Sequence, residues 1–186
     1  GPVRRLLIDL DGVLYEGNRP VAGAAKTIRW LADAGIAHRF VTNTTSRPRS
    51  AIVRKLAGMD IPTTGAQLLT PPVAAAAYLH ARGLERVAAF MPAATRSELE
   101  GLTLLPDHVE AGADAVVVGD LGERWDFATL NRAFRLLMGT PTPVLIALGM
   151  TRYWRAPDGL RLDTAPFVAA LRTASGVEPV VLGKPA

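Results

Sequence analysis

No cysteine occurs in the 186 residues. That excludes disulfides, thiolate-ligated zinc, iron–sulfur clusters and a cysteine nucleophile together. Histidine is scarce: His38, His80 and His108 lie far apart, without metal-ligand spacing, and each reads as structural or exposed. Only Lys26, Lys55 and Lys184 are lysines among the 21 basic residues, and the arginines are scattered rather than clustered. The net charge of +4 and the isoelectric point near 10.0 therefore describe an arginine-rich surface that draws small anions. They do not describe a nucleic-acid partner, which wants a basic run interleaved with aromatics. Aromatic residues are only 6%, and Trp30, Trp125 and Trp154 read as packing residues rather than a stacking platform. Long apolar runs are missing. Segments such as Ala115–Val118 and Val144–Leu148 fall far short of the roughly 20 residues of a membrane span, so no membrane partner is expected. The first apolar run begins at Val3 without a leader pattern, and Gly1-Pro2 has the form of a protease scar. A cytoplasmic protein is expected.

What is present is a globular composition, 49% hydrophobic and 20% charged, in which apolar strands alternate with helical patterns. Val3–Leu10 reads as a buried strand. Ala22–Ala34 reads as a helix with Gly35 as its stop, Ala37–Val41 as a strand, Pro48–Leu56 as a helix, and Pro71–Ala81 as a helix opened by prolines. The order then resumes: strand Arg86–Met91, short helix Thr95–Leu99, strand Ala113–Gly119, helix Phe127–Leu137 capped by Asp126, strand Val144–Leu148, helix Thr164–Thr173 and strand Pro179–Leu182. Strand–helix alternation of this kind predicts an α/β fold built on parallel sheet.

The most informative stretch is Ile8-Asp9-Leu10-Asp11-Gly12-Val13-Leu14-Tyr15. Residues two apart in a strand share a side, so Asp9 and Asp11 project together where the first strand ends, the edge at which open α/β sheets bind ligands. Asp-Gly after a strand is a common turn. The pair of aspartates at the end of the opening strand is what tilts the reading toward chemistry. Two adjacent carboxylates want a cation or a shared proton between them, and hard oxygen donors suit Mg²⁺. Gly12 permits a sharp turn, with neighbouring N–H groups toward an anion. Thr42 and Asn43, in Val41-Thr42-Asn43-Thr44-Thr45-Ser46 after the second strand, offer a hydroxyl and an amide for a phosphoryl group, though such clusters also make ordinary turns. Lys184, after the last strand, either neutralises phosphate charge or is a surface lysine. Val116-Val117-Val118-Gly119-Asp120 imitates a strand-end acidic motif, and Asp120 reads as a turn residue.

Taken in order, Asp9-Leu10-Asp11-Gly12, Thr42-Asn43 and Gly183-Lys184-Pro185 resemble the motifs of the haloacid dehalogenase-like hydrolases. The stretch between is similar to the large α/β cap of one subgroup. Leu130-Asn131-Arg132-Ala133-Phe134-Arg135-Leu136-Leu137, Arg152-Tyr153-Trp154, Gly159-Leu160-Arg161-Leu162 and Pro166–Leu171 resemble the phospholysine, phosphohistidine and inorganic pyrophosphate phosphatase type within it. The resemblance implies a Rossmann-like parallel-sheet core in residues 1–80, an inserted α/β cap in 81–178, and the start of a returning core segment in 179–186, with the core truncated at its C-terminal end. It implies a Mg²⁺-dependent phosphatase acting on small phosphorylated molecules or pyrophosphate, with Asp9 as nucleophile and Asp11 as general acid and base. Asp9 and Asp11 would hold the metal, Gly12, Thr42, Asn43 and Lys184 the phosphate, and Arg152 and Tyr153 would select the substrate. It also implies a homodimer paired through the cap. The family's fourth, acidic motif is expected beyond Lys184, so the alternative is a catalytically incomplete fragment or a binding relative.

Overall fold

The computed structural model describes residues 4–183. Lys184 lies outside the described residues. Two compact units divide the chain, one running to Thr70 and the other starting at Pro71.

The first unit is built on three parallel strands. They are β1 (Arg5–Asp9), β4 (Ala37–Val41) and β5 (Leu68–Leu69), in the order β1-β4-β5. Two short strands, β2 (Tyr15–Glu16) and β3 (Arg19–Pro20), form a small antiparallel hairpin after β1. Helix α1 (Ala24–Asp33) connects β1 to β4, and α2 (Arg49–Ala57) leads from β4 towards β5. Each helix exists because its apolar residues fall on one stripe: Ala24, Ile28 and Leu31 on α1, Ile52 and Leu56 on α2. Both stripes enter one core with Phe40 and Leu68, so both helices cover the same sheet face. Leu7, on the opposite face of β1, is 70% exposed. The register pairs Asp9 with Val41, so β1 and β4 end side by side.

The second unit opens with α3 (Pro71–Ala81) and carries five parallel strands. These are β6 (Arg86–Phe90), β7 (Thr103–Leu104), β8 (Ala115–Val118), β9 (Val144–Ala147) and, after the hairpin β10 (Tyr153–Ala156) and β11 (Gly159–Leu162), β12 (Pro179–Val181). Their order is β12-β9-β8-β6-β7. Helices α4 (Ala93–Arg96), α5 (Phe127–Leu137) and α6 (Thr164–Ser175) connect them. Successive strand residues feed opposite cores. Val116 and Val118 pack with Ala133, Leu136 and Val168, while Ala115 and Val117 pack with Ala75 and Leu79 of α3. Burial on both faces explains the continuous apolar runs.

The first unit runs to Thr70, and α3 buries Ala75 and Leu79 against the second sheet. β12 pairs with β9, Val180 opposite Ile146, as an edge of the second sheet. The short helix near Thr95 is α4, starting at Ala93 after Pro92. The helices Pro71–Ala81 and Phe127–Leu137 have the expected bounds, and Asp126 caps the latter by accepting from Thr129 N–H at 2.8 Å. No helix among the described residues is long and apolar enough to cross a membrane.

Candidate active site

The ends of β1 and β4 gather Asp9, Asp11, Gly12, Thr42 and Asn43 in the first unit. Leu10 is fully buried, Asp9 before it is half-buried at the end of β1, and Asp11 after it is exposed. The loop after β1 is held tightly. Leu14 N–H and Val13 N–H both donate to Leu10 O, at 2.9 and 3.2 Å. Gly12 sits at φ 77°, a left-handed conformation that a side chain resists. Its N–H donates to Tyr15 O at 2.8 Å. Its own N–H thus closes the turn, and the bend at Gly12 follows directly on Asp11.

Thr42 is buried, at 1% exposure, with its N–H donated to Leu69 O. Its hydroxyl accepts from Thr44 N–H at 3.1 Å and pairs with the Thr44 hydroxyl at 3.0 Å. The Thr42 hydroxyl is thus bonded within its own loop. Like Ser46, Thr44 one step further out lines a cavity. Asn43 is exposed beside it.

That cavity, of about 250 Å³, is walled by Asp11, Tyr15, Thr44, Arg47 and Lys55 among others. Tyr15 reaches the Asp11 carboxylate with its hydroxyl, and burial and then Asp11 push its ionisation above the ordinary tyrosine value, with Arg47 opposing. It therefore stays a proton donor toward Asp11 through the neutral range. The Lys55 ammonium lies 4.1 Å from the centre of the Tyr15 ring. Two cations, Arg47 and Lys55, face one carboxylate, Asp11, across this space, a balance that favours an anionic guest. Sequence reasoning passed over Tyr15, Thr44, Arg47 and Lys55. Tyr15 stands four residues after Asp11, and Lys55 is on the helix that follows β4, so the only signal was proximity to the two strand ends.

Arg152 and Tyr153 belong to the second unit. Both are exposed, and the guanidinium lies 5.5 Å from the Tyr153 ring centre. Asp120 is the turn residue expected of it. It follows β8 and accepts from Gly122 N–H at 3.0 Å, and burial, then Asp163, raises its carboxyl above the usual range.

The family model described as haloacid dehalogenase-like hydrolase matches residues 6–104, more than half the chain. The chain belongs to the haloacid dehalogenase-like hydrolases. Among curated relatives, the phospholysine phosphohistidine inorganic pyrophosphate phosphatase of Danio rerio is 33% identical over 187 residues, covering 98% of this chain and 67% of its own length. The human protein of that name is 32% identical with the same coverage. Among solved structures, a mutant form of the thermostable p-nitrophenylphosphatase of Bacillus stearothermophilus superposes with a TM-score of 0.85 at 25% identity, over 98% of this chain and 70% of the other. The p-nitrophenyl phosphatase of Archaeoglobus fulgidus gives 0.80 at 23% identity, over 97% and 68%, and supports the fold alone. This haloacid dehalogenase-like chain therefore spans about two thirds of the length of these relatives.

Proposed function

We propose that this chain carries the nucleophile and the acid–base group of a Mg²⁺-dependent phosphatase acting on small phosphorylated molecules. The observation that carries the reading is Asp9 at the end of β1, beside the end of β4, with Asp11 two residues on lining a cavity together with Arg47 and Lys55. An Asp9 carboxylate oxygen attacks phosphorus as the bond to the leaving-group atom breaks, giving an aspartyl-phosphate. Asp11 delivers its proton to the leaving group. In the second half Asp11 takes a proton from water, the water oxygen attacks phosphorus, and the bond from phosphorus to Asp9 breaks to restore the carboxylate. Tyr15 holds Asp11 in place, and Arg47 and Lys55 draw the anionic substrate in.

Mg²⁺ suits this donor set in kind, since both aspartates offer hard oxygen ligands and the ion ordinarily keeps waters and substrate oxygens for the rest of its shell. Asp9 and Asp11 would hold it, and bound there it supplies charge neutralisation of the phosphoryl oxygens. By family resemblance Lys184 adds a further cation, Arg152 and Tyr153 select the substrate, and the second unit pairs two copies of a cytoplasmic protein. The names of the relatives in fish and man favour phosphoramidates and pyrophosphate as substrates.

The test is phosphate release from p-nitrophenyl phosphate and pyrophosphate, with and without Mg²⁺. Turnover in the parent chain that falls by more than a thousandfold in Asp9→Asn supports the reading. Equal turnover in the two proteins, or none in folded parent protein, overturns it.

A further inference from the structure

A second polar cavity, of about 270 Å³, opens in the second unit at the C-terminal end of β6, between α4, α5 and the loop before β8. Three arginines line it: Arg96 from α4, Arg124 from the turn after β8, and Arg132 from α5. The opposing carboxylates are Asp107 and Glu110. Glu110 is already held by Arg135, at 2.9 and 3.1 Å, and the Arg96–Asp107 pair is loose at 3.9 Å. Positive charge is thus in excess around the space.

The burial of this charge is unusual. Arg132 is only 8% exposed. Its Nε and Nη2 donate to Val109 O and Pro106 O at 2.9 Å each, and its guanidinium stands 5.1 Å from the Phe90 ring centre. Its direct partners are neutral carbonyls and a ring face, and burial lowers the Arg132 ionisation from its ordinary value, with Asp107 and Glu110 opposing and Arg96 adding to the fall. Arg96 Nε is sealed from solvent with no hydrogen-bond partner. A buried donor left without an acceptor is rare in native structures and calls for a partner.

We propose that this cavity, lined by residues of the second unit alone, is a binding site for a small phosphate-bearing molecule that is held there without being hydrolysed. Arg96 and Arg124 offer charge-assisted hydrogen bonds to the oxygens of a phosphate and Arg132 adds its charge beside them, and Phe90 and Leu121 offer an apolar wall for the remainder of the guest. Arg96 Nε gains the acceptor it lacks.

The experiment uses the full chain labelled with ¹⁵N and titrated with inorganic phosphate, pyrophosphate and, separately, citrate, following the Arg Nε–Hε signals. The expected result is a saturable shift of the Arg96 and Arg132 signals with phosphate or pyrophosphate. The shift weakens at least fivefold in Arg124→Ala, an exposed residue whose loss leaves the fold intact, and persists in Asp9→Asn. No saturable shift up to tens of millimolar overturns the proposal. So does a shift that Arg124→Ala leaves unchanged or that Asp9→Asn abolishes. A response to citrate stronger than to phosphate replaces the phosphate assignment with a carboxylate one and refutes it as stated.

Discussion

Asp114 joins three strands of the second unit. Its Oδ2 accepts from Glu85 N–H at 3.0 Å and Arg86 N–H at 2.8 Å, its own N–H donates to Arg86 O at 2.7 Å, and its carbonyl accepts from Val144 N–H at 3.0 Å. The side chain thus satisfies two backbone donors that β6 leaves open at its start. Hydrogen bonds to a charged group contribute about 1.5–3 kcal/mol each when fully shielded. Water reaches this site and recovers part of that, so Asp114→Ala is expected to cost about 2 kcal/mol at neutral pH. In a unit of this size the loss lowers the melting temperature by roughly 6–10 °C. The same two N–H groups hold the Asp114 carboxyl below its ordinary value. Its contribution is therefore fully present above the unfolded value near pH ~4 and is lost as pH falls through the lower folded value. Urea unfolding followed by circular dichroism on parent and Asp114→Ala, at steps from pH 7 to pH 3, reads the difference directly. Asp114→Asn, which keeps a neutral acceptor, should recover about half of it. A gap below about 0.5 kcal/mol at pH 7, or one that does not narrow with acid, refutes the reasoning.

The other predictions concern the strand-end site. Tyr15→Phe removes the hydroxyl that reaches Asp11 while leaving the ring under Lys55, so kcat should fall severalfold to tenfold with KM unchanged. An unaltered kcat would show that the hydroxyl does not position Asp11. Gly12→Ala places a side chain at φ 77° with nothing near its Cβ, so the cost is backbone strain alone, about 1–2 kcal/mol. Thermal unfolding should record that loss, and phosphate release should drop with it as the Asp11 loop re-forms. Unchanged stability would mean that the turn adopts another conformation at no cost.

The sequence by itself determined the α/β class, the parallel strands and the strand-end aspartates. Each depends on short-range rules that a linear reading exposes. Doubly buried strands such as β8 are continuous apolar runs, helices such as α5 carry their cap and stripe in consecutive residues, and Asp9 and Asp11 stand where the apolar run of β1 gives out. Tertiary structure decided the rest. The two-residue strands β5 and β7 have no local signature and exist only because β4 and β6 offer them partners. The β10–β11 hairpin did leave a trace, the Pro157-Asp158-Gly159 turn, but its strands are recognised only once they pair. Proximity across the chain decided that α3 and β12 belong to the second unit, and that Arg47 and Lys55 share a cavity with Asp11. Arg96, Arg124 and Arg132 look like scattered surface charge in one dimension. Packing of α4, α5 and the turn after β8 around the end of β6 is what brings them to one cavity, because long-range contacts, not residue types, set which charges are neighbours.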